Sequence, residues 1–224
     1  MPVTEDLAQR FRAVDTTALC DADKTTRVLA DAIRPRSART RIFGPAFTVR
    51  CRDDFLGVLQ AVEAAAPGDV VVVDGGAREI ALGGELFARG ALARSLGGLV
   101  VDAGYRDLGY VANCALPVYS RFVTPMSGTA VKPGELGVPV TCGGVTVNPG
   151  DLVLADGEGV VVVAPDRIES LLDAALAIKE TETALVGRLD AGATLGDVFA
   201  LAEHVTALER GEPSALRPRT RPPG

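Results

Sequence analysis

Two short runs of apolar residues, VVVVD at 70–74 and LVVDA at 99–103, constrain the fold more than any other feature of the chain. Strands have this composition when both of their faces are buried, as in a parallel sheet covered by other layers. A helical segment is expected between them at about 83–96. The unit from 70 to 103 therefore predicts two parallel strands joined by a right-handed crossover.

The flanking segments extend this α/β prediction. AFTVRC at 46–51 combines β-branched and aromatic residues between turn residues, which predicts another strand. Beyond Pro125, short β runs alternate with Gly, Pro and Asn, which indicates a mainly antiparallel β segment. Helical periodicity returns at about 165–189, and a last helix is expected from Thr194 to Arg210. The predicted fold class is α/β, with a parallel βαβ core, an antiparallel segment and C-terminal helices.

The same pattern predicts how the chain is divided. Its 224 residues are enough for one well-formed hydrophobic core. We assign residues 1–165 to the α/β/β core and residues 166–210 to a C-terminal helical extension. Residues 211–224 are rich in Pro and Arg, and we expect them to be disordered.

Charge and histidine content exclude several functions. The formal net charge is −6 and the pI is near 4.9, which argues against a nucleic-acid partner, since nucleic acids recruit basic patches. His204 is the single histidine, so zinc sites built on two or three histidines are excluded, and we interpret it as a surface or packing residue. All apolar runs are shorter than the roughly 18 residues of a membrane span, so no membrane partner is expected.

Lysines and cysteines narrow the chemistry further. Lys24, Lys132 and Lys179 are the only lysines, and none lies in an apolar run of the kind that lowers a lysine pKa. A Schiff-base aldolase is therefore disfavoured. The four cysteines lie far apart without a CxxC pair, which favours buried free thiols in a reducing compartment. We therefore expect a cytoplasmic protein.

The first candidate site is GGELFA at 83–88, which follows a buried strand and opens a helix. Free N–H groups and the helix dipole make a helix N-terminus attractive to anions. Gly83 and Gly84 would let a carboxylate or phosphate approach the backbone closely. The alternative is a tight loop whose glycines only relieve steric crowding, and the sequence alone leaves both interpretations open.

The second candidate site is DAGYRD at 102–107, at the end of the next parallel strand. Both candidates then lie at one edge of the sheet, where open α/β folds bind ligands. Arg106 can pair with a carboxylate and stabilise a developing enolate, and Asp107 can hold a hard cation such as Mg²⁺. The alternative is an Arg–Asp pair that caps a short helix. DGEG at 156–159, in contrast, favours a plain hairpin turn.

These motifs together resemble the family of RraA-like proteins and 4-hydroxy-4-methyl-2-oxoglutarate aldolases, some members of which are misnamed demethylmenaquinone methyltransferases. The resemblance spans most of residues 15–165, and the C-terminal helices resemble the longer, aldolase-type members. The matching stretches are LCDAD (19–23), GPAFTVRCRDD (44–54), PGDVVVVDGG (67–76), GGELFARGA (83–91), GGLVVDAGYRD (97–107) and PGDLVLADGEGVVVVAP (149–165).

The resemblance implies a swivelling β/β/α-type domain that assembles as a homotrimer or homohexamer with active sites between subunits. It further implies a carbon–carbon lyase that depends on Mg²⁺ or Mn²⁺. Such an enzyme cleaves 4-hydroxy-2-oxo acids to pyruvate through an enolpyruvate intermediate and also decarboxylates oxaloacetate. The implied partner is a small 2-oxo acid.

The resemblance also implies a role for each site residue. Arg106 contacts the oxo acid and its enolate, Asp107 ligates the metal, and Glu85 acts with them by holding water on the metal. Glu180 or Glu182 of a neighbouring subunit completes the metal's water shell. The backbone amides that bind the substrate carboxylate are those of Gly83, Gly84, Glu85, Leu86 and Phe87.

Two other functions remain to be weighed against the aldolase. The first is an RraA-like regulator that binds and inhibits a ribonuclease, because the carboxylate loop and the RD pair can persist in such proteins. A quinone methyltransferase is disfavoured because no GxGxxG-type loop follows the first strand. Tyr105 departs from the small aliphatic residue usual before the arginine, and we expect its ring to narrow the site or shift substrate choice.

Overall fold

The computed structural model describes residues 4–219, whose helices and strands follow the predicted order. The helices are α1 Glu5–Arg12, α2 Thr16–Ala22, α3 Leu56–Ala64, α4 Glu85–Ala93, α5 Leu108–Val111, α6 Ile168–Asp190, α7 Leu195–Val198 and α8 Leu201–Glu209. The strands are β1 Arg27–Val28, β2 Arg34–Pro35, β3 Ile42–Arg50, β4 Val70–Ala81, β5 Gly98–Tyr105, β6 Val118–Val123, β7 Glu135–Leu136, β8 Val140–Cys142, β9 Val145–Val147, β10 Leu152–Ala155 and β11 Val160–Val163.

Four parallel strands, β3, β4, β5 and β6, form the middle of the main sheet. The predicted parallel pair is confirmed, since Val73 of β4 lies opposite Val101 of β5. Antiparallel strands β10 and β11 extend the sheet beyond β3, and a separate hairpin forms from β8 and β9. The α/β prediction with a parallel core and an antiparallel segment is therefore confirmed.

Layers on both faces explain the continuous apolar runs. One face of the parallel strands packs against α3, α4 and α5 through residues such as Val62, Ala88 and Val111. The other face is covered by the β8–β9 hairpin, and α1, α2 and α6 pack against β10 and β11. Because both faces are buried, residues 70–73 of β4 and 99–101 of β5 are all apolar and do not alternate between apolar and polar.

Several predicted boundaries are wrong by a few residues for identifiable reasons. Strand β4 continues past Asp74 to Ala81, because irregular pairing keeps it beside β5. Helix α4 begins at Glu85 rather than 83, since Gly83 and Gly84 form the turn that leads into it. The last helix is two helices, because Phe199 is extended and pairs with Pro218.

The C-terminal segment has defined contacts as far as the structure describes it. The backbone N–H of Ala200 donates to the carbonyl of Arg217, and that of Arg219 donates to Val198. Residues 220–224, the rest of the segment for which disorder is predicted, lie outside the described residues. Within residues 4–219, no helix has both the length and the apolar character required to cross a membrane.

Candidate functional site

The two predicted site segments meet at the carboxyl edge of β4 and β5. The backbone N–H of Arg106 donates to the carbonyl of Gly83 at 3.1 Å. The backbone N–H of Glu85 donates to Oδ2 of Asp107 at 3.0 Å. The structure therefore brings together the helix-opening loop and the RD pair, although 22 residues separate Glu85 from Asp107 in sequence.

Close packing explains why this loop carries two glycines. A Cβ on Gly84 would lie 2.3 Å from Oδ2 of Asp107, and one on Gly83 would lie 2.4 Å from the Tyr105 ring. Asp107 itself adopts a left-handed conformation with φ 61°, which aspartate tolerates better than most residues. Of the two interpretations of these glycines, relief of steric crowding is therefore supported. The absence of a Cβ on Gly84 lets Asp107 reach the start of the helix.

Tyr105 supports the loop from below rather than lining the site. Its side chain is fully buried in the core, and its hydroxyl donates a hydrogen bond to the carbonyl of Gly84 at 3.0 Å. Burial raises the pKa of Tyr105, so the phenol stays protonated. The expected narrowing of the site by this ring is therefore wrong, because the ring points into the core, whereas an effect of Tyr105 on substrate choice stays a prediction.

Helix α4 presents its first residues in different directions. Leu86 is largely exposed, whereas Phe87 packs edge-on against Phe55 with ring centroids 5.8 Å apart. Glu85 forms an ion pair with Arg89, with Oε1 and Nε 2.8 Å apart, and the Arg89 guanidinium stacks on Tyr110. Sequence analysis missed Arg89, although its four-residue spacing from Glu85 on a helix is a recognisable signal.

The side chains of the RD pair remain accessible. Arg106 is 41% exposed and Asp107 is 44% exposed, and their closest charged atoms, Nε and Oδ2, are 3.7 Å apart. Among the described residues, the guanidinium of Arg106 has no hydrogen bond, and Oδ1 of Asp107 has none either. Both groups are therefore available to a ligand.

The donor set suits a hard cation that keeps most of its water. Across residues 4–219, no three His, Cys, Asp or Glu side chains converge as a complete metal site. Mg²⁺ is commonly held by one or two carboxylates and several waters, so the free Oδ1 of Asp107 fits such an ion. To hold the metal ion or its water, Glu85 would first have to break its ion pair with Arg89.

The remaining candidates lie elsewhere. Glu182 forms an ion pair with Lys179 at 3.1 Å, whereas Glu180 is exposed and has no such partner among the described residues. His204 is on α8, where Nδ1 lies 2.9 Å from Oγ of Ser214. The DGEG prediction is confirmed as the hairpin turn between β10 and β11.

A second set of charged residues at this sheet edge was not predicted. Arg50, Asp74, Asp102 and Arg121 lie side by side on the four parallel strands, at neighbouring register positions. Asp74 and Asp102 each close one of the apolar runs, so the sequence did contain a signal. Their spatial order became visible only once the strands were paired.

Comparison with known proteins gives one family and consistent relatives. A family model described as Aldolase/RraA, RraA-like, matches residues 16–162. A protein of Halalkalibacterium halodurans named "Putative 4-hydroxy-4-methyl-2-oxoglutarate aldolase" is 34% identical over 172 residues, 76% of this chain and 82% of that protein. The residues that the family model matches include both site segments.

Two solved structures share the fold. An uncharacterized protein from Pseudomonas syringae pv. tomato superposes with a TM-score of 0.76 at 28% identity, covering 88% of this chain and 98% of that one. The RNA-processing inhibitor RraA from Thermus thermophilis superposes with a TM-score of 0.63 at 30% identity, covering 66% and 92%. The first structure therefore matches a larger share of this chain than the Thermus protein does.

Proposed function

This chain belongs to the RraA-like family, and we propose that it is a divalent-metal-dependent pyruvate aldolase, a carbon–carbon lyase. Its substrates are 4-hydroxy-2-oxo acids of the 4-hydroxy-4-methyl-2-oxoglutarate type, the compound in the name of the Halalkalibacterium relative. Oxaloacetate decarboxylation is proposed as a second activity, because loss of CO₂ from oxaloacetate leaves the same enolate as aldol cleavage.

The observation that carries the proposal is the hydrogen bond from the Glu85 N–H to Asp107. This bond joins the N-terminus of α4 to the Asp107 carboxylate, which lies next to Arg106 at the sheet edge. In this site the amides of Leu86 and Phe87, which have no acceptor within their own helix, bind the substrate carboxylate. Cleavage of the C–C bond leaves negative charge on the ketone oxygen, and the free guanidinium of Arg106 stabilises it.

Asp107 would hold the metal ion through its free oxygen, Oδ1. A bound Mg²⁺ or Mn²⁺ supplies a Lewis acid beside the ketone. Neither role needs a histidine or a Schiff-base lysine. This agrees with the interpretation of His204 as a surface or packing residue and with three lysines that all lie outside the apolar runs.

Assembly is part of the proposal. We propose a homotrimer or homohexamer in which the C-terminal helices reach a neighbouring subunit. Support comes from α8, which has no buried residue and exposes Leu201, Val205 and Leu208. Of the two glutamates considered for the neighbouring site, Glu180 is favoured, because Glu182 is already paired with Lys179.

The proposal is tested by supplying the purified protein with oxaloacetate and Mg²⁺ and measuring pyruvate release with and without EDTA. We expect turnover that EDTA abolishes, and loss of about 10²–10³-fold in kcat on Arg106→Ala, because the donor to the developing oxyanion is removed. Arg39→Ala is the matched control, since Arg39 is exposed and has no ion-pair partner among the described residues. Equal rates for Arg106→Ala and the unchanged protein would contradict the proposal.

A regulatory function is the second candidate, favoured by the superposition on the Thermus RNA-processing inhibitor. That likeness spans 66% of this chain, so the remainder of the chain has no counterpart in it. Inhibition of a purified RNA-degrading endonuclease by this protein, retained in Arg106→Ala, would favour the regulator over the enzyme.

A further inference from the structure

A cleft of about 900 Å³ opens at the carboxyl edge of β3 to β6, and its lining includes none of the residues assigned to the aldolase site. The row Arg50, Asp74, Asp102 and Arg121 forms one wall, with one residue from each of the four strands. In this row two carboxylates lie between two arginines.

The carboxylates of the cleft are already occupied. Asp102 accepts hydrogen bonds from Nε of Arg121 and from the backbone N–H of Gly143. Asp74 accepts from the N–H groups of Gly76 at 3.1 Å and Thr141 at 3.3 Å. Their negative charge is therefore compensated by the protein itself.

Asp54, a third carboxylate in the lining, is likewise satisfied. Its oxygens accept from the backbone N–H groups of Leu56, Val131 and Lys132 and from the hydroxyl of Thr129. These bonds fix the loop that carries Lys132 over the cleft.

The cations, in contrast, keep free donors. Arg121 is held through Nε with its side chain only 16% exposed, while its two terminal nitrogens have no partner among the described residues and reach the solvent of the cleft. Arg52 and Lys132 are exposed at the rim and have neither a hydrogen bond from their side chains nor an ion pair among the described residues. Arg52 lies across Gly76, where a Cβ would come within 3.1 Å of its Nε.

We propose that this cleft is a second small-molecule site, which binds an oxyanion, a carboxylate or a phosphate group, through the terminal nitrogens of Arg121 with Arg52 and Lys132 at the rim. A guanidinium anchored through Nε presents its terminal nitrogens in a fixed fork that matches such an anion. The volume leaves room for a ligand considerably larger than the anionic group itself.

Calorimetric titration with succinate and with inorganic phosphate tests the proposal, on protein that has been treated with EDTA and then dialysed free of it. EDTA removes divalent metal, so that chelation at Asp107 does not contribute heat. We expect saturable binding of at least one anion, with a Kd on the order of 1 mM or tighter, that weakens with added salt. Saturation by phosphate alone supports a phosphate-bearing ligand, and saturation by succinate supports a carboxylate.

The Arg52→Ala/Lys132→Ala double variant removes the rim cations without breaking any described side-chain hydrogen bond or ion pair, so it should fold and melt like the unchanged protein. We expect its binding to be weakened about tenfold, as two exposed charges contribute modestly. Arg39→Ala is the matched control, because Arg39 precedes β3 whereas Arg52 follows it, at opposite ends of the strand.

Three results would overturn the proposal. They are the absence of saturable heat with both anions, an equal loss of affinity in Arg39→Ala, and loss of binding in Arg106→Ala, which would place the anion in the aldolase site. Failure of the aldolase assay leaves these titrations unaffected, so the two proposals fail separately.

Discussion

The two charged sites at this sheet edge hold their carboxylates in opposite ways. At the RD site, Asp107 is 44% exposed and accepts one backbone hydrogen bond. In the cleft, the side chains of Asp74 and Asp102 are only 6% exposed, and each accepts two hydrogen bonds, from Gly76 and Thr141 and from Arg121 and Gly143. The comparison shows that similar residues at one edge can serve a ligand or serve the fold, depending on how many partners the protein supplies.

The largest expected difference is in stability. Asp102→Asn should lower the free energy of unfolding by about 3 kcal/mol, because it leaves the mostly buried Arg121 charge unpaired. Asp107→Asn should cost less than about 1 kcal/mol, because the amide oxygen still accepts from Glu85 and asparagine tolerates the left-handed conformation. Urea unfolding of both variants measures the contrast.

A double variant sharpens this prediction. Asp102→Leu combined with Arg121→Met removes both charges, and it should recover much of the lost stability. Equal destabilisation by Asp102→Asn and Asp107→Asn would show that the two carboxylates do not differ as described.

The next effect concerns the close approach at Gly84. Gly84→Ala places a Cβ 2.3 Å from Oδ2 of Asp107, so we expect a loss of about 1–3 kcal/mol in stability together with a fall in oxaloacetate turnover. Gly109→Ala is the control, because an added Cβ there in α5 would meet no atom within 4 Å outside the adjacent residues and the backbone of the helix itself. Thermal melting and the pyruvate assay are measured on both variants, and a fully active Gly84→Ala protein would refute the tight contact.

A smaller effect is expected beneath the loop. Tyr105→Phe removes the hydrogen bond to the Gly84 carbonyl and should cost roughly 1 kcal/mol. Tyr110→Phe serves as the comparison, because the Tyr110 hydroxyl makes no hydrogen bond among the described residues. If the two substitutions change the urea midpoint equally, the hydrogen bond from the buried Tyr105 hydroxyl does not stabilise the loop.

The last prediction concerns pH. Burial alone would raise the pKa of Asp54, but hydrogen bonds from Val131, Thr129, Leu56 and Lys132 outweigh it and lower the pKa to about 2. The stabilisation is therefore complete above the ordinary pKa near 3.8 and is lost as the pH falls towards 2. The protection factors of the Val131 and Lys132 amides against hydrogen exchange should fall over that pH range in the unchanged protein. In Asp54→Asn they should already be low near neutral pH.

Much of the fold could be predicted because burial on both faces leaves a direct mark on the sequence. The runs at 70–74 and 99–103 identified β4 and β5, and the order of helices and strands followed from turn residues and periodicity. Boundaries were missed where pairing with a neighbour extends or interrupts an element, as in β4 beyond Asp74 and at Phe199.

The candidate site was predicted only in outline. Gly83 to Phe87 and the RD pair were expected at one edge, and the structure brings them together. The inward direction of Tyr105 and the pair between Glu85 and Arg89 were not foreseen, because both depend on side-chain directions that no local pattern specifies.

By itself, the sequence determined which strands are buried, that they are parallel, and that mechanisms based on histidine clusters are excluded. Only the tertiary structure decided which carboxylates are free. Asp74, Asp102 and Asp107 all come near the end of an apolar run in the sequence. The register of four strands buries the first two beside Arg50 and Arg121, whereas Asp107 stays exposed next to Arg106. The physical reason is that hydrogen-bond partners come from distant segments, so the availability of a carboxylate is a property of the assembled fold.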